Sequence, residues 1–440
     1  MQTEEGLKRE IGLWGLTANN INTVIGAGIF VLPALVSEGL GAAGLLAYLF
    51  CGFLITMVML CFAEVGSKIT ITGGAYAYIE AAFGSYFGFI TTNLFIFGAS
   101  LMATAAVANA IADTLSYLFP VFNDTTFKAF FFVTLFSALT VINIRGVKEG
   151  ITLVKATTLL KLSPLLLLVI WGLTQVEVKN ITWTNSPPIA DLGKVSLILF
   201  FAFQGAENSL SVSGEVINPR KTIPRSILLS MIVILLLYLG IQVVAQGILG
   251  NSLATYKTAP LAEVAKNLMG PFGVTIMLLG AATSMFGYLS SDILNMPRVL
   301  FRSAKDEVIP VKALAKIHPQ YATPYISIIT FTVLGCILSI LGGFRQLAIL
   351  STSSVLLIYL GVALAVIKLR FRHTDAGPHF TIPGGYIVPM LSIIIIIWFL
   401  TNLRRDEGLG MLAFIAFLTF VYFLLRWRKR ITPPTMKQAP

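Results

Sequence analysis

Charge is scarce in this chain. Of its 440 residues only 12% are Asp, Glu, Lys or Arg, about half the share found in a soluble domain. That excludes an ordinary water-soluble enzyme and a disordered chain. Cysteine and histidine are scarcer still, three of each. Cys51, Cys61 and Cys336 lie in apolar runs without CxxC spacing, so neither a disulfide framework nor a metal cofactor is expected. His318, His373 and His379 sit in polar connections. The net charge of +11 does not read as a nucleic-acid footprint, because most of the sequence is too apolar to face water. The opening segment MQTEEGLKRE is polar and precedes no small-residue cleavage site, so it does not read as a cleavable signal.

Hydrophobic residues are abundant, at 56%. A hydrocarbon layer about 30 Å thick is crossed by roughly 20 apolar residues in a helix. Twelve runs are expected to do this: 11–35, 41–66, 86–118, 127–144, 151–173, 192–214, 223–247, 271–298, 322–341, 345–369, 386–403 and 408–427. The longest connections, near 174–191, 248–270 and 299–321, leave no room for a soluble domain. With the amino terminus inside, 22 of the 31 Lys and Arg residues fall on the inner side, 8 on the outer side, and Lys161 inside a span. The positive-inside rule therefore places both termini in the cytoplasm.

Several residues do not belong in lipid. The first span reads Thr23-Val24-Ile25-Gly26-Ala27-Gly28-Ile29-Phe30. Glycines weaken a helix by about 1 kcal/mol each, and unwinding frees backbone groups that lipid cannot satisfy. Close helix packing through small residues is the plainer reading of that spacing alone. The sixth span carries Phe203-Gln204-Gly205-Ala206-Glu207-Asn208, which is more polarity than packing explains. A pair of interrupted spans at corresponding positions of two halves marks a transporter binding site. Broken helices offer free N–H groups at one stub and free carbonyls at the other. A zwitterion such as an α-amino acid matches both. Its carboxylate is expected at Gly26, Ala27 and Gly28, and its ammonium at carbonyls of span 1 and of Phe201 to Gln204. Phe201 and Phe203 flank the second break as a candidate lid.

Three charges lie at membrane depth: Lys161, Glu207 and Asp292. Such residues are expensive there and default to functional roles. The plainer readings are a snorkelling lysine, a neutral hydrogen-bonded structural carboxyl and a carboxylate lining a watery vestibule. Lys161 and Glu207 are candidate proton-linked groups. The connection from Gly214 to Arg225 reads mainly as a positive-inside turn, with Glu215 as a candidate inner-gate ion pair.

These motifs resemble the amino acid–polyamine–organocation family of permeases over essentially the whole chain. The resemblance rests on GLKREIGLWGLTANNINTVIGAGIF, GGAYAYIEAAFGSYFGF, FAFQGAENSLSVSGEVINPRKTIPRSI and NMPRVLFRSAKDEVIPVKALAKIHPQYATPYISI. It implies an all-α polytopic membrane protein with 12 transmembrane helices, a LeuT-type 5+5 inverted repeat with helices 1 and 6 broken. The first repeat is 1–173, the second 174–369, and helices 11–12 with the tail 370–440. It implies a substrate carboxylate site at Gly26, Ala27 and Gly28, a gating aromatic at Phe201, and an acidic motif position at Glu207. Lys161 falls where a lysine of sodium-independent members takes the place of a sodium ion. Asp292 falls where relatives vary, which leaves side-chain specificity open.

The expected function is secondary active transport of amino acids in the cytoplasmic membrane by alternating access, through proton symport or exchange. A cationic amino acid or polyamine antiporter is the alternative. Helices 1, 2, 6 and 7 would rock against helices 3, 4, 8 and 9. Substrate contacts are expected at Thr23, Ile25, Gly26, Ala27, Gly28, Thr104, Phe201, Ala202, Phe203, Gln204, Glu207, Asp292 and Ser353, with Ala108 a weaker candidate. Lys161, Glu207 and Phe201 are the expected coupling and gating residues. The expected partners are substrate, protons and membrane lipids, with no cofactor, no metal and no nucleic acid, in a monomer or homodimer. A channel would need a continuous polar stripe and a membrane enzyme a nucleophile–base or metal constellation. Neither is visible.

Overall fold

The computed structural model describes residues 11–69, 74–145, 151–207, 216–306, 308–309, 311–371 and 380–431. Among these, regular structure is helical apart from one parallel bridge between Ile11 and Val216. The first apolar run folds as two helices, α1 (Leu13–Val24) and α2 (Gly28–Leu40), and α3 (Gly44–Lys68) follows. After α4 (Gly74–Phe83), α5 (Ser85–Asn93) widens into a π-helical turn, Leu94–Ser100, and continues as α6 (Leu101–Ser116). Next come α7 (Thr125–Arg145), α8 (Ile151–Gly172) and the short α9 (Val178–Ile181). The helix α10 (Ile189–Leu199) tightens into a 3-10 turn, Phe200–Phe203. The remainder is α11 (Pro219–Leu249), α12 (Pro260–Lys305), α13 (Tyr325–Leu341), α14 (Phe344–Phe371), α15 (Ile387–Thr401) and α16 (Arg405–Ile431).

Among the described residues, seven helical stretches are long and apolar enough to cross a membrane: Gly28–Lys68, Ser85–Ser116, Thr125–Arg145, Lys221–Thr255, Pro260–Lys305, Phe344–Phe371 and Arg405–Trp427. Three shorter apolar helices accompany them, Leu160–Gln175, Tyr325–Leu341 and Ile387–Thr401. The chain is a multi-pass membrane protein. Burial sorts the helices into centre and rim. In the most apolar window, 83% of Ser85–Ser116 and 72% of α14 are buried, against 22% for α7 and 11% for α16. The central pair packs together, while α7 and α16 turn residues such as Phe130 and Phe417 outward. An apolar rim of this kind suits lipid, where hydrocarbon is the solvent.

The expected connection over 248–270 is corrected in part. Pro260 opens a helix that breaks at Gly270 (φ 62°, ψ −151°) before Pro271 restarts it. Leu261, Val264, Ala265 and Leu268 are all buried. Their i, i+3, i+4, i+7 spacing is an amphipathic helical stripe, and this segment is a packed helix rather than a loop.

A buried ionic clasp closes one end of the bundle. Glu64, fully buried at the end of α3, accepts hydrogen bonds from Arg370 Nε at 2.7 Å and Nη2 at 2.5 Å. Lys68 Nζ (3.2 Å) and the backbone N–H of Ile382 (2.9 Å) complete its shell. Beside it Ser67 Oγ accepts the Phe380 N–H at 3.0 Å. The clasp joins α3 to the end of α14 and to the segment before α15. Glu64→Ala strips the counter-charge from Arg370 and Lys68, whose side chains are 14% and 11% exposed. Breaking a buried pair from one side costs about 3–5 kcal/mol, and residual water contact puts the expected loss at the lower end. Thermal unfolding of purified protein should show a lower midpoint for Glu64→Ala than for Glu64→Gln. Coincident melting of Glu64→Ala and wild type would mean that the clasp contributes nothing.

Candidate substrate site

The first break is built from unwound backbone held by side chains of three other helices. The helix α1 ends when Ile25 turns extended (φ −74°, ψ 91°), its N–H still bonded to Ile21. Side chains take four of the carbonyls around it. Lys161 on α8 donates to the carbonyls of Asn22 (2.6 Å) and Ile25 (2.8 Å). Ser284 on α12 donates to that of Gly26 (3.2 Å), and Tyr238 on α11 to that of Val24 (3.4 Å). The ammonium of Lys161 thus sits at the carboxyl end of α1, where the helix dipole is negative. On the other side of the break α2 begins at Gly28 with Ala27 as its N-cap and no side-chain cap. Its positive dipole end and free N–H groups face the cavity, an arrangement that receives an anion.

The second break follows the 3-10 turn Phe200–Phe203. Gln204 is extended (φ −75°, ψ 157°) and Gly205 takes φ +113°, a conformation open to glycine but strained for other residues. A Cβ on Gly205 would lie 2.8 Å from the Thr23 carbonyl oxygen, and one on Gly28 would lie 2.9 Å from Ala202 Cα. The two breaks therefore meet backbone to backbone. Side chains fix the second break as well. Gln204 Nε2 donates to Thr352 on α14 at 2.7 Å, and its Oε1 accepts from Ser351 at 3.4 Å. Glu207 Oε2 accepts from the Gly205 N–H at 3.0 Å and from Tyr359 at 2.6 Å. Tyr238 donates to the Ala202 carbonyl at 2.9 Å. The sequence beyond, including Glu215 and its candidate ion pair, lies outside the described residues.

Between the breaks lies a small cavity of about 60 Å³. Of the expected contacts, Thr23, Gly26, Ala27, Gly28, Phe201, Gln204, Glu207 and Asp292 line it. Phe201 closes one wall by an edge-on contact with Phe344, ring centres 5.7 Å apart. Thr104 stands behind the wall, bonded to Asp292 at 2.5 Å. Ile25 is fully buried and offers only its carbonyl, and Ala202 packs against Gly28. Phe203 points away from the cavity into the rings of Tyr48 and Tyr238. Ala108 is fully buried and does not line the cavity. Ser353 does not line it either and bonds back to the Ile349 carbonyl. Its helix presents Ser351 and Val355 instead. A serine–threonine run gives no period from which the facing residue can be chosen.

Sequence reasoning missed Ser100 and Tyr288. Ser100 ends the π-helical turn and donates to Asp292 at 2.7 Å. It lies four residues before Thr104, so an i, i+4 pair of hydroxyls was the available signal. Tyr288 lies one turn before Asp292 on α12 and packs near Gly26, whose Cβ position is 3.9 Å from the ring. The carbonyl-bound lysine, the paired breaks and the cavity between them form a site for a small polar molecule inside a membrane protein. A sequence profile described as amino acid permease matches residues 11–423. The chain belongs to the amino acid permease family. This permease is 30% identical over 402 residues to a serine/threonine exchanger of Bacillus subtilis, covering 89% of this chain and 91% of that protein. It is 25% identical over 448 residues to a branched-chain amino acid permease of the same organism, with 96% and 94% covered. An arginine/ornithine antiporter of Pseudomonas aeruginosa is 29% identical over 329 residues, 70% of this chain and 66% of that protein.

Proposed function

We propose that this permease carries amino acids across the cell membrane by alternating access, without sodium, by exchange or proton symport. The observation that carries the reading is the meeting of two broken helices at a small cavity, with the Lys161 ammonium bridging the Asn22 and Ile25 carbonyls. An amino acid's carboxylate goes to the amino end of α2, and its ammonium to carbonyls of the breaks. A protein cation already occupies the carbonyls that a coupling metal ion would need. The arrangement proposed around this site has twelve spans in two inverted five-helix repeats, 1–173 and 174–369, followed by two further helices, with both termini cytoplasmic.

Purified protein in liposomes, empty or preloaded, tests this with a panel of labelled amino acids. Uptake that needs a preloaded counter-substrate identifies an exchanger. Concentrative uptake into empty vesicles under an inward proton gradient identifies a symporter. Replacing external sodium by choline should leave either rate unchanged, and a rate that collapses in choline refutes the sodium-independent reading.

A further inference from the structure

The cavity carries an electrostatic asymmetry that a neutral amino acid does not use. Two carboxylates line it, Glu207 and Asp292, and among the described residues no lysine, arginine or histidine does. Glu207 takes the Tyr359 hydroxyl and the Gly205 N–H on its Oε2, beside the second break. Asp292 is bound in the same one-sided way, by side-chain hydroxyls alone. It is 9% exposed, and its Oδ2 takes both nearby hydroxyls, from Ser100 and Thr104. Its Oδ1 has no hydrogen-bond partner among the described residues, and the residue lines the cavity. Two donors on one oxygen hold the carboxyl in a single orientation. A buried carboxylate left with a free oxygen is costly unless a charged or donor group meets it.

Position sets the length of the group that can meet it. On α12, Ser284, Tyr288 and Asp292 recur every four residues on one face. Ser284 bonds the Gly26 carbonyl, and Tyr288 packs near Gly26, so this end of the stripe abuts the break that receives the α-carboxylate. Asp292 lies one turn further, about 6 Å along the helix axis. That is the reach of a three- or four-carbon stem, and longer than the side chain of serine or alanine. We infer that Asp292 selects the substrate's side chain, favouring L-α-amino acids that end in a cation at lysine or ornithine length. The inference rests on the proposed amino acid transport and deepens it. Ser100 and Thr104 are positioning residues that act through Asp292. A diamine lacks the carboxylate that the amino end of α2 receives, so it is a poorer ligand than lysine.

The test uses the full-length protein in liposomes and reads the ratio of lysine to leucine kcat/KM, which cancels differences in the amount of folded protein. Wild type should favour lysine and ornithine over leucine and over putrescine. In Asp292→Asn the lysine-to-leucine ratio should fall roughly ten- to a hundredfold, the worth of one charge-assisted hydrogen bond. Thr104→Val, which leaves Oδ2 with the Ser100 hydroxyl alone, should lower the ratio by a smaller factor. Wild-type preference for leucine overturns the inference without any variant, and so does an unchanged ratio in Asp292→Asn. Both results leave amino acid transport standing. If no amino acid of a full panel enters wild-type vesicles, the transport reading falls and takes this one with it.

Discussion

Lys161→Ala protein should insert and purify, yet its initial rate of amino acid uptake should fall by two orders of magnitude or more. The ammonium is the donor to two carbonyls of the unwound backbone, those of Asn22 and Ile25, at 2.6 and 2.8 Å. Alanine supplies neither hydrogen bond nor charge. A buried acceptor left without a donor costs about 1–3 kcal/mol, and Lys161 serves two. The unwound geometry that presents the amino end of α2 then competes poorly with rewound or collapsed alternatives. Binding and transport should fall together, with a lower unfolding midpoint. A second readout concerns coupling. If Lys161 links uptake to protons, wild-type rates vary with external pH and the residual rate of the variant does not. A pH profile of identical shape in both would remove the coupling role while leaving the structural one.

The second large effect is steric. Gly205→Ala places a methyl group at φ +113° and 2.8 Å from the Thr23 carbonyl oxygen. The backbone strain alone is about 1–3 kcal/mol, and the contact forces the two breaks apart. Gly28→Val meets Ala202 Cα and Cβ at 2.9 Å, where the obstacle is backbone and no rotamer relieves it. Both variants should lose transport almost completely and melt earlier than wild type. Gly287→Ala is the matched control, because its Cβ would meet nothing within 4 Å and alanine favours helix. Equal melting of all three variants would show that the close approach of the breaks carries no constraint.

The helix breaks were legible because glycine and polar residues in mid-span contradict everything around them. Thr23 to Gly28 and Phe201 to Glu207 are continuous in sequence, and a continuous defect announces itself. What was not legible depends on rotation. Phe201 and Phe203 look equivalent as letters, but the 3-10 turn aims one at the cavity and the other at Tyr238. Ser351 and Ser353 differ by two residues, about 200° around a helix, and the surrounding hydroxyls hide the face that matters. Ser100 was hidden for a further reason: the π-helical turn Leu94–Ser100 shifts the phase of everything after it. Tyr359 is one aromatic among many in an apolar helix, and only the fold brings its hydroxyl to 2.6 Å from Glu207.

One helix is both strut and contact. Near its Phe371 end α14 is braced through Arg370 against the Glu64 carboxylate of α3. About 16 Å back along its axis Tyr359 holds Glu207, and about 27 Å back Thr352 holds Gln204. A swing of the second break must therefore release those hydrogen bonds, and that of Ser351 to Gln204, or drag the strut with it. Dragging it loads an ion pair far from any substrate. In the proposed alternating-access cycle, a charge pair that no amino acid in the cavity reaches would then bear on how the second break moves, and loosening that pair would change turnover without touching the binding site.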